Sequence, residues 1–418
     1  MSLLILHRGS LRANRYAEWL ADFGGDVVLL ASQEKLDAVK EELRPTADGF
    51  LHAEAITGYD LSGRLESRAL ELAEKYDVQH VFASNEYDLE RAALLREILR
   101  IPGQGSDSAQ AFRDKVLMKE AALAGGVPVA PYRTVECAAD VHAFAADHGF
   151  PLVVKPRNAA GSVGTTVVRT PEELDELVAL RMTADQGRPN LLVEAFVPGG
   201  MCHVDGLVLD GEVVLAWPSR YLDALVSFPV GGILADVSLD PDDPLAARLL
   251  ALCDRLMSAM PTPPNCAFHI EVFHTPDDRL VLCEVASRTG GAKIKETIEV
   301  MFGVDLTEAW LRAEVGLEPP RALRGPRRPR PRTMAGSLLM LSRPGLVRDV
   351  PRTADFPWAE RYELLVEPGQ RLDPAAFCGD VIASLVVSAP DRRECERRLG
   401  LARRWFEDAA VIDPPPHA

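Results

Sequence analysis

Two apolar rhythms alternate along the first quarter of the chain. Continuous apolar runs (LLILH, DVVLL and VQHVFAS) are separated by stretches whose apolar positions recur every three or four residues, which predicts helices over Arg12–Phe23, Leu65–Tyr76 and Asp88–Arg100. Strands alternating with helices mean βαβ units and a parallel sheet, so the fold class is α/β. The Pro-Gly break at Ile101–Gly105 closes this first unit, read as residues 1–105.

Beyond it the rhythm changes. A helix over Asp114–Gly125, with Lys115 near its start and a Gly-Gly stop, is followed by VPVAPYRTV, a short helix over Ala138–His148 and the strand PLVVKP, which carries Lys155 near its end. A small, Gly-rich segment from Asn158 to Thr166, a helix over Pro171–Arg181 and the apolar run LLVEAFVPGG come next. MCHVDGLVLDGEVVLAW predicts a hairpin turning at Asp210-Gly211, and a helix over Pro244–Met260 leads into a second hairpin. The strands of that hairpin, Ala267–Phe273 and Arg279–Ala286, flank Thr275-Pro276-Asp277-Asp278, where Pro presets φ and Asp caps the turn. A turn centred near Asp277 sets Glu271 opposite Glu284, and directly opposed residues share a face of the sheet. A helix over Lys293–Phe302 follows. These elements are read as a unit over 106–320, with a flap subdomain at about 128–195. RALRGPRRPRPR (321–332) reads as a surface linker, and 333–412 as a small α+β unit with a helix over Arg392–Asp408.

Composition narrows the class. At 418 residues the chain is too long for one ordinary core, and 47% hydrophobic with 26% charged residues is a globular rather than a disordered balance. The formal net charge of −16 argues against nucleic acid or an anionic membrane as main partner, since both demand a basic face. The Arg-rich 321–332 stretch is better read as solvated linker than as an anion site within so acidic a chain. No apolar run approaches a membrane span, and MSLLILHRGS lacks the basic n-region and full h-region of a signal peptide, so the expected location is cytoplasmic. Seven scattered cysteines (Cys137, Cys202, Cys253, Cys266, Cys283, Cys378 and Cys395) without C-x-x-C spacing argue against a disulfide framework or a zinc site.

The chemistry concentrates around the second hairpin. Two opposed glutamates repel, and are held cheaply only with a cation between them; hard divalent ions with oxygen ligands are the usual occupants. A wet strand face with solvent as sole partner is the competing reading. Arg288 and Gly290-Gly291 just past the strand end favour the cation, because a guanidinium there meets an anion and glycines let the backbone approach a ligand. Lys155 leaves a buried strand just before Gly161, Ser162, Val163 and Gly164, a segment able to present backbone N–H groups to phosphates as well as to make an ordinary hairpin turn. LLVEAFVPGG serves either as a connector whose backbone reads an adenine edge or as a plain strand and turn. Glu86, in the Ser84-Asn85-Glu86 stretch at the carboxyl edge of the first sheet, is a candidate for a substrate ammonium or else a helix N-terminal acid.

In this order the motifs resemble those of the ATP-grasp superfamily of carboxylate–amine ligases, and within it most closely the bacterial L-amino acid ligases that make dipeptides in secondary metabolism. The resemblance covers about residues 1–320 and implies an ATP-grasp fold behind an N-terminal pre-ATP-grasp domain, with ATP and Mg²⁺ as cofactors. It implies that Lys115 and Lys155 bind the α- and β-phosphates, that Gly161 to Thr165 close over the β- and γ-phosphates, and that Glu194 accepts from the adenine amino group while the Phe196 and Val197 backbone reads the ring. Glu271 and Glu284 would hold Mg²⁺, Arg288 and Lys155 would act on the transferred phosphoryl group, and His269, Gly290 and Gly291 would face the substrate. Two positions depart from the pattern. Ala286 stands where the superfamily often has a metal-binding Asn, and Met201 where a ribose-binding acid is common, with Asp205 a substitute.

The implied reaction joins two amino acids, a γ-glutamyl bond being one version, with release of ADP and phosphate. The alternatives are a ligase acting on another carboxylate or nucleophile, and a non-catalytic ATP-binding regulatory module. Small-molecule carboxylate and amine substrates, no nucleic acid, no membrane and a homodimer complete the expectation.

Overall fold

The computed structural model describes residues 1–44, 49–182, 189–223, 232–324, 328–375 and 379–415; Cys378 and the middle of the 321–332 stretch fall outside them. Strands β1 (Ser2–His7), β2 (Asp26–Ser32), β3 (His52–Ile56) and β4 (Val78–Ala83) form a parallel sheet in the order β3-β2-β1-β4. Leu3 and Ile5 of β1 enter one apolar cluster, while Leu4 and Leu6 enter another with Leu65, Ala69 and Leu72 of the helix Arg64–Tyr76. Burial on both faces is why the run is apolar at every position instead of alternating. The helix expected over Arg12–Phe23 shortens to Tyr16–Trp19. The Glu41 carboxylate takes Ser10 Oγ at 2.6 Å and Leu11 N–H at 2.7 Å, and these bonds tie the preceding residues into a turn.

Strands β5 (Tyr132–Val135), β6 (Leu152–Pro156), β7 (Thr166–Val168) and β8 (Leu191–Ala195) make an antiparallel sheet, β5-β8-β6-β7. The helices Ala138–His148 and Pro171–Arg181 cover it through Val141, Phe144, Leu174 and Leu177.

The rest is organised on one large antiparallel sheet. β9 (Gly200–Leu209) and β10 (Glu212–Tyr221) turn at Asp210-Gly211, whose φ values of 50° and 77° are the left-handed pair that a two-residue hairpin loop needs. β11 (Ile233–Ser238), β12 (Cys266–His274), β13 (Leu280–Ala286), β14 (Met334–Leu341), β15 (Gly345–Asp349), β16 (Ala359–Leu364), β17 (Arg371–Leu372), β18 (Val381–Ala389) and β19 (Val411–Asp413) follow. The order is β13-β12-β9-β10-β11-β14-β18-β16, eight strands, with β17-β15-β19 as a small separate sheet. β14 pairs with β11 from Ile233↔Met340 to Val237↔Gly336, so the chain after the linker continues the central sheet edge to edge. It has a core of its own all the same, where Cys395, Leu399, Ala402 and Phe406 of the helix Arg392–Ala409 meet Val237, Leu338 and Leu385.

The helix Pro244–Ala259 starts where the Asp243 side chain caps the Leu245 N–H at 2.9 Å and Pro occupies the first turn; it buries Leu249, Leu252, Cys253 and Leu256 at helical spacing. Among the described residues no helix is long and apolar enough to cross a membrane.

Candidate active site

The turn between β12 and β13 sets the register that its chemistry predicts: Glu271 opposes Glu284, and Ile270 opposes Val285. On its other edge β12 pairs with β9, Glu271 with His203 and His269 with Asp205. Glu284, Glu271 and His203 therefore stand in one row on one face. β13 has its outer edge covered where the Leu282 N–H donates to Pro128 O at 2.8 Å, bringing the start of the flap region against the hairpin. Gln104 Nε2 donates to Ser287 Oγ at 2.9 Å and fixes the residue just before Arg288.

Each cation of the site has a carboxylate partner. Lys115 opens the helix Lys115–Ala124, whose N-cap Asp114 accepts from the Val116 N–H and is gripped by Arg157 from the end of β6. Lys115 Nζ donates to Ala159 O at 2.7 Å, at the entrance to the Gly-rich segment, and lies 3.2 Å from Glu284 Oε2. Burial pushes the Glu284 carboxyl up, but Lys115, Lys155 and Arg288 outweigh it and bring the group down to about 2.

Lys155 Nζ is 2.6 Å from Glu194 Oε1, and Lys119 Nζ is 2.9 Å from Glu194 Oε2. The two lysines hold Glu194 at about 2 against its burial, and Glu194 in turn raises Lys155. Arg288 Nε bonds Glu86 Oε2, while Glu86 Oε1 accepts from Arg113 Nη1 at 2.5 Å. Burial would raise the Glu86 carboxyl; the two guanidiniums lower it instead.

These contacts place the expected residues and revise some of their surroundings. Glu86 bridges two arginines, one through each carboxylate oxygen. The Glu194 carboxylate is already bracketed by lysines. The Lys119–Glu194 ion pair is buried at the exit of β8. Phe196 follows there, 39% exposed, and the Gly-rich segment takes left-handed backbone at Gly161, Ser162 and Gly164 (φ 63°, 62° and 72°), with Ser162 and Val163 exposed.

Asp205 is corrected outright as a ribose ligand. It is 1% exposed and accepts from His203 Nδ1 at 2.5 Å and His269 Nδ1 at 2.8 Å. His269 Nε2 in turn lies 3.5 Å from Glu271 Oε1, and Tyr221 donates its hydroxyl to the same oxygen at 3.2 Å. His203, Asp205 and His269 offer three ligand atoms within 4.8 Å of one another. Their N–O separations are nonetheless those of hydrogen bonds, since two donors sharing a zinc stand roughly 3.4 Å apart. The all-oxygen pair Glu271 and Glu284 fits a hard divalent cation better. Ala286 lies across from His269 in the register and adds no ligand.

Gly290 packs against this network. A methyl group there would meet Asp205 Oδ1 at 2.7 Å and Ile294 Cγ2 at 2.9 Å, whereas at Gly291 it would meet nothing within 4 Å. Gly290→Ala is therefore expected to cost about 1–3 kcal/mol in urea unfolding. Gly291→Ala should stay within about 0.5 kcal/mol, and equal effects would show that the close approach is not what Gly290 provides.

Sequence reasoning missed Lys119, Arg113, His203 and Tyr221. Lys119 carried a signal, standing four residues after Lys115 on one helical face. So did His203, two residues from Asp205 on one strand face.

The profile of the carbamoyl-phosphate synthase L chain ATP-binding domain matches residues 114–211, which run from the N-cap of the Lys115 helix through the Gly-rich segment to the turn of the β9–β10 hairpin. The fold of the whole chain superposes on a solved L-amino acid ligase from Bacillus licheniformis with a TM-score of 0.77, 17% identity and 99% coverage of both chains. The chain has an ATP-grasp fold. The same ATP-grasp architecture superposes with a TM-score of 0.70 on the biotin carboxylase domain dimer of a Hydrogenobacter thermophilus 2-oxoglutarate carboxylase in complex with MgADP, at 17% identity over 99% of this chain and 90% of that one. In sequence, an L-arginine-specific L-amino acid ligase of Bacillus subtilis is 26% identical over 258 residues, 61% of this chain. The match spans 62% of that relative's length.

Proposed function

We propose that the protein is an ATP-dependent ligase that activates a carboxylate as an acyl-phosphate and couples it to an amine, the substrates being two amino acids. The observation that carries this is the Glu271–Glu284 pair on one face, within reach of Lys115 and next to Arg288. A site that only binds nucleotide has little use for a guanidinium at the end of the metal hairpin. The names of the similar ligases favour amino acids over other carboxylates.

A carboxylate is a poor electrophile. Its oxygen attacks the γ-phosphorus of ATP, the bond to the β-γ bridging oxygen breaks, and ADP leaves. The amine of the second substrate then attacks the acyl carbon, the C–O bond to phosphate breaks, and the nitrogen loses a proton. Such phosphoryl transfer asks the protein for position and for cations aimed at the equatorial oxygens. Lys115 and Lys155 hold the phosphate chain, Arg288 takes the transferred group, and Gly161 to Thr165 cover it so that water does not consume the acyl-phosphate. A Mg²⁺ held by Glu271 and Glu284 supplies neutralisation of the phosphate charge. Phe196 and Val197 border the purine. Assembly as a homodimer in the cytoplasm belongs to the same proposal.

Phosphate release from MgATP, measured over a matrix of amino acids singly and in pairs with the product weighed, tests the reading. A pair-dependent signal with a product at the summed mass less water is expected. Release with one amino acid alone would mean self-condensation or leakage. Silence across the matrix with ATP still bound would sink the amino acid assignment.

A further inference from the structure

The loop that carries Arg288 is reached from the far end of the chain. Between β13 and the helix Ile294–Phe302, Ala292 and Lys293 both stand in left-handed backbone, at φ 55° and 69°. Non-glycine residues stay there only where their surroundings hold them. The holding groups come from the C-terminal segment. Ser337 Oγ of β14 sits 3.2 Å from Ala292 O and also bonds the Asp236 carboxylate, so its single proton serves either acceptor.

Lys293 Nζ lies 2.5 Å from Glu363 Oε2 of β16 and 3.4 Å from Glu296. Two residues away on the same face of β16, Arg361 reaches Glu299 of the same helix at 2.6 Å. The edge strand thus meets the helix with opposite charges in a fixed order, and sliding it by two residues would set Arg361 against Lys293.

We propose that Glu363 and Ser337 are positioning residues: through Lys293 and the Ala292 carbonyl they hold the 288–293 loop, and hence Arg288, in the geometry used for phosphoryl transfer. In this way the last segment of the chain, which supplies none of the phosphate- or metal-facing residues named above, takes part in catalysis. The inference rests on the ligase reading for its kinetic side only.

Three variants of the full chain test it: Glu363→Lys, Ser337→Ala and the charge exchange Lys293→Glu with Glu363→Lys. Two readouts are taken, steady-state kinetics and amide hydrogen exchange of the 288–294 peptide. Glu363→Lys is expected to lower kcat roughly tenfold with KM for ATP within about twofold. It is also expected to speed exchange in that peptide roughly tenfold, while the helix Arg392–Ala409 keeps its protection. The charge exchange is expected to restore part of both, short of the native values because the carboxylate placed at position 293 also faces Glu296; a general loosening of the fold would restore neither. Unchanged kcat and exchange in both single variants would overturn the proposal, as would faster exchange spread equally over the C-terminal helix. If the native protein turns over no amino acid pair at all, the ligase reading fails alone, and the exchange data still decide whether Glu363 and Ser337 hold the loop.

Discussion

Glu284→Gln is expected to lower kcat roughly 10²–10³-fold while leaving the protein folded. The amide keeps the shape of the side chain but not its charge, and that charge is what Lys115, Lys155 and Arg288 have drawn down to about 2. With it gone, the hairpin offers a cation one carboxylate instead of two, and Lys115 loses its partner at 3.2 Å. Phosphate release titrated with Mg²⁺ reads both effects, the metal requirement rising as turnover falls. Full turnover in this variant would take the β12–β13 hairpin out of the chemistry and leave a nucleotide-binding module.

The largest effect on stability is expected at Asp205. Burial alone would lower His203 and His269, yet the Asp205 carboxylate outweighs it and raises them to about 9 and about 10. A histidine whose folded value is raised contributes fully below its unfolded value of 6.5, and loses that contribution as pH climbs through the folded one. Each histidine that keeps its proton in the fold should cost about 1.4 kcal/mol per pH unit on that side. On the acid side the signs reverse. Glu194 and Glu284, both lowered from 4.5 to about 2, stabilise above 4.5 and stop doing so as pH falls toward 2. Urea unfolding in the presence of a chelator is therefore expected to show declining stability from pH 6.5 upward. Asp205→Asn should flatten that decline and cost about 3–5 kcal/mol at pH 6, because it strands buried cations without their partner. A native-like alkaline slope in this variant would mean that the histidines are neutral in the fold.

What was legible beforehand is what local chemistry dictates. Thr275-Pro276-Asp277-Asp278 fixes its own turn, and the turn fixes the opposition of Glu271 and Glu284. Asp210-Gly211 needs no tertiary context to make a tight hairpin, nor do Asp243 and Pro244 to open a helix.

Pairings across long chain separations were not legible. β9 and β12 are joined through a helix and further strands, so no turn sets their register, and the meeting of His203 and His269 at Asp205 depends on that register. Glu86 and Arg288 stand 202 residues apart. Arg113 lies on a helix, Ser106–Arg113, whose sequence SDSAQAFR has too few apolar residues to announce itself. The continuation of the central sheet through β11 and β14 was hidden for the same reason, because an Arg- and Pro-rich stretch looks like a boundary whether or not the strands on either side of it go on to pair.

The pairing of every cation at the site with a carboxylate has a consequence for how ligands arrive. Lys115 with Glu284, Lys155 with Glu194 and Arg288 with Glu86 form a set already settled within the protein. A triphosphate entering there does not fill a waiting positive hole; it bids against the protein's own acids. On the proposed reading Lys115 is released as Glu284 turns to a divalent ion, and the freed lysine is then available to phosphate. Metal and nucleotide should consequently strengthen each other's hold by the same factor, whichever enters first.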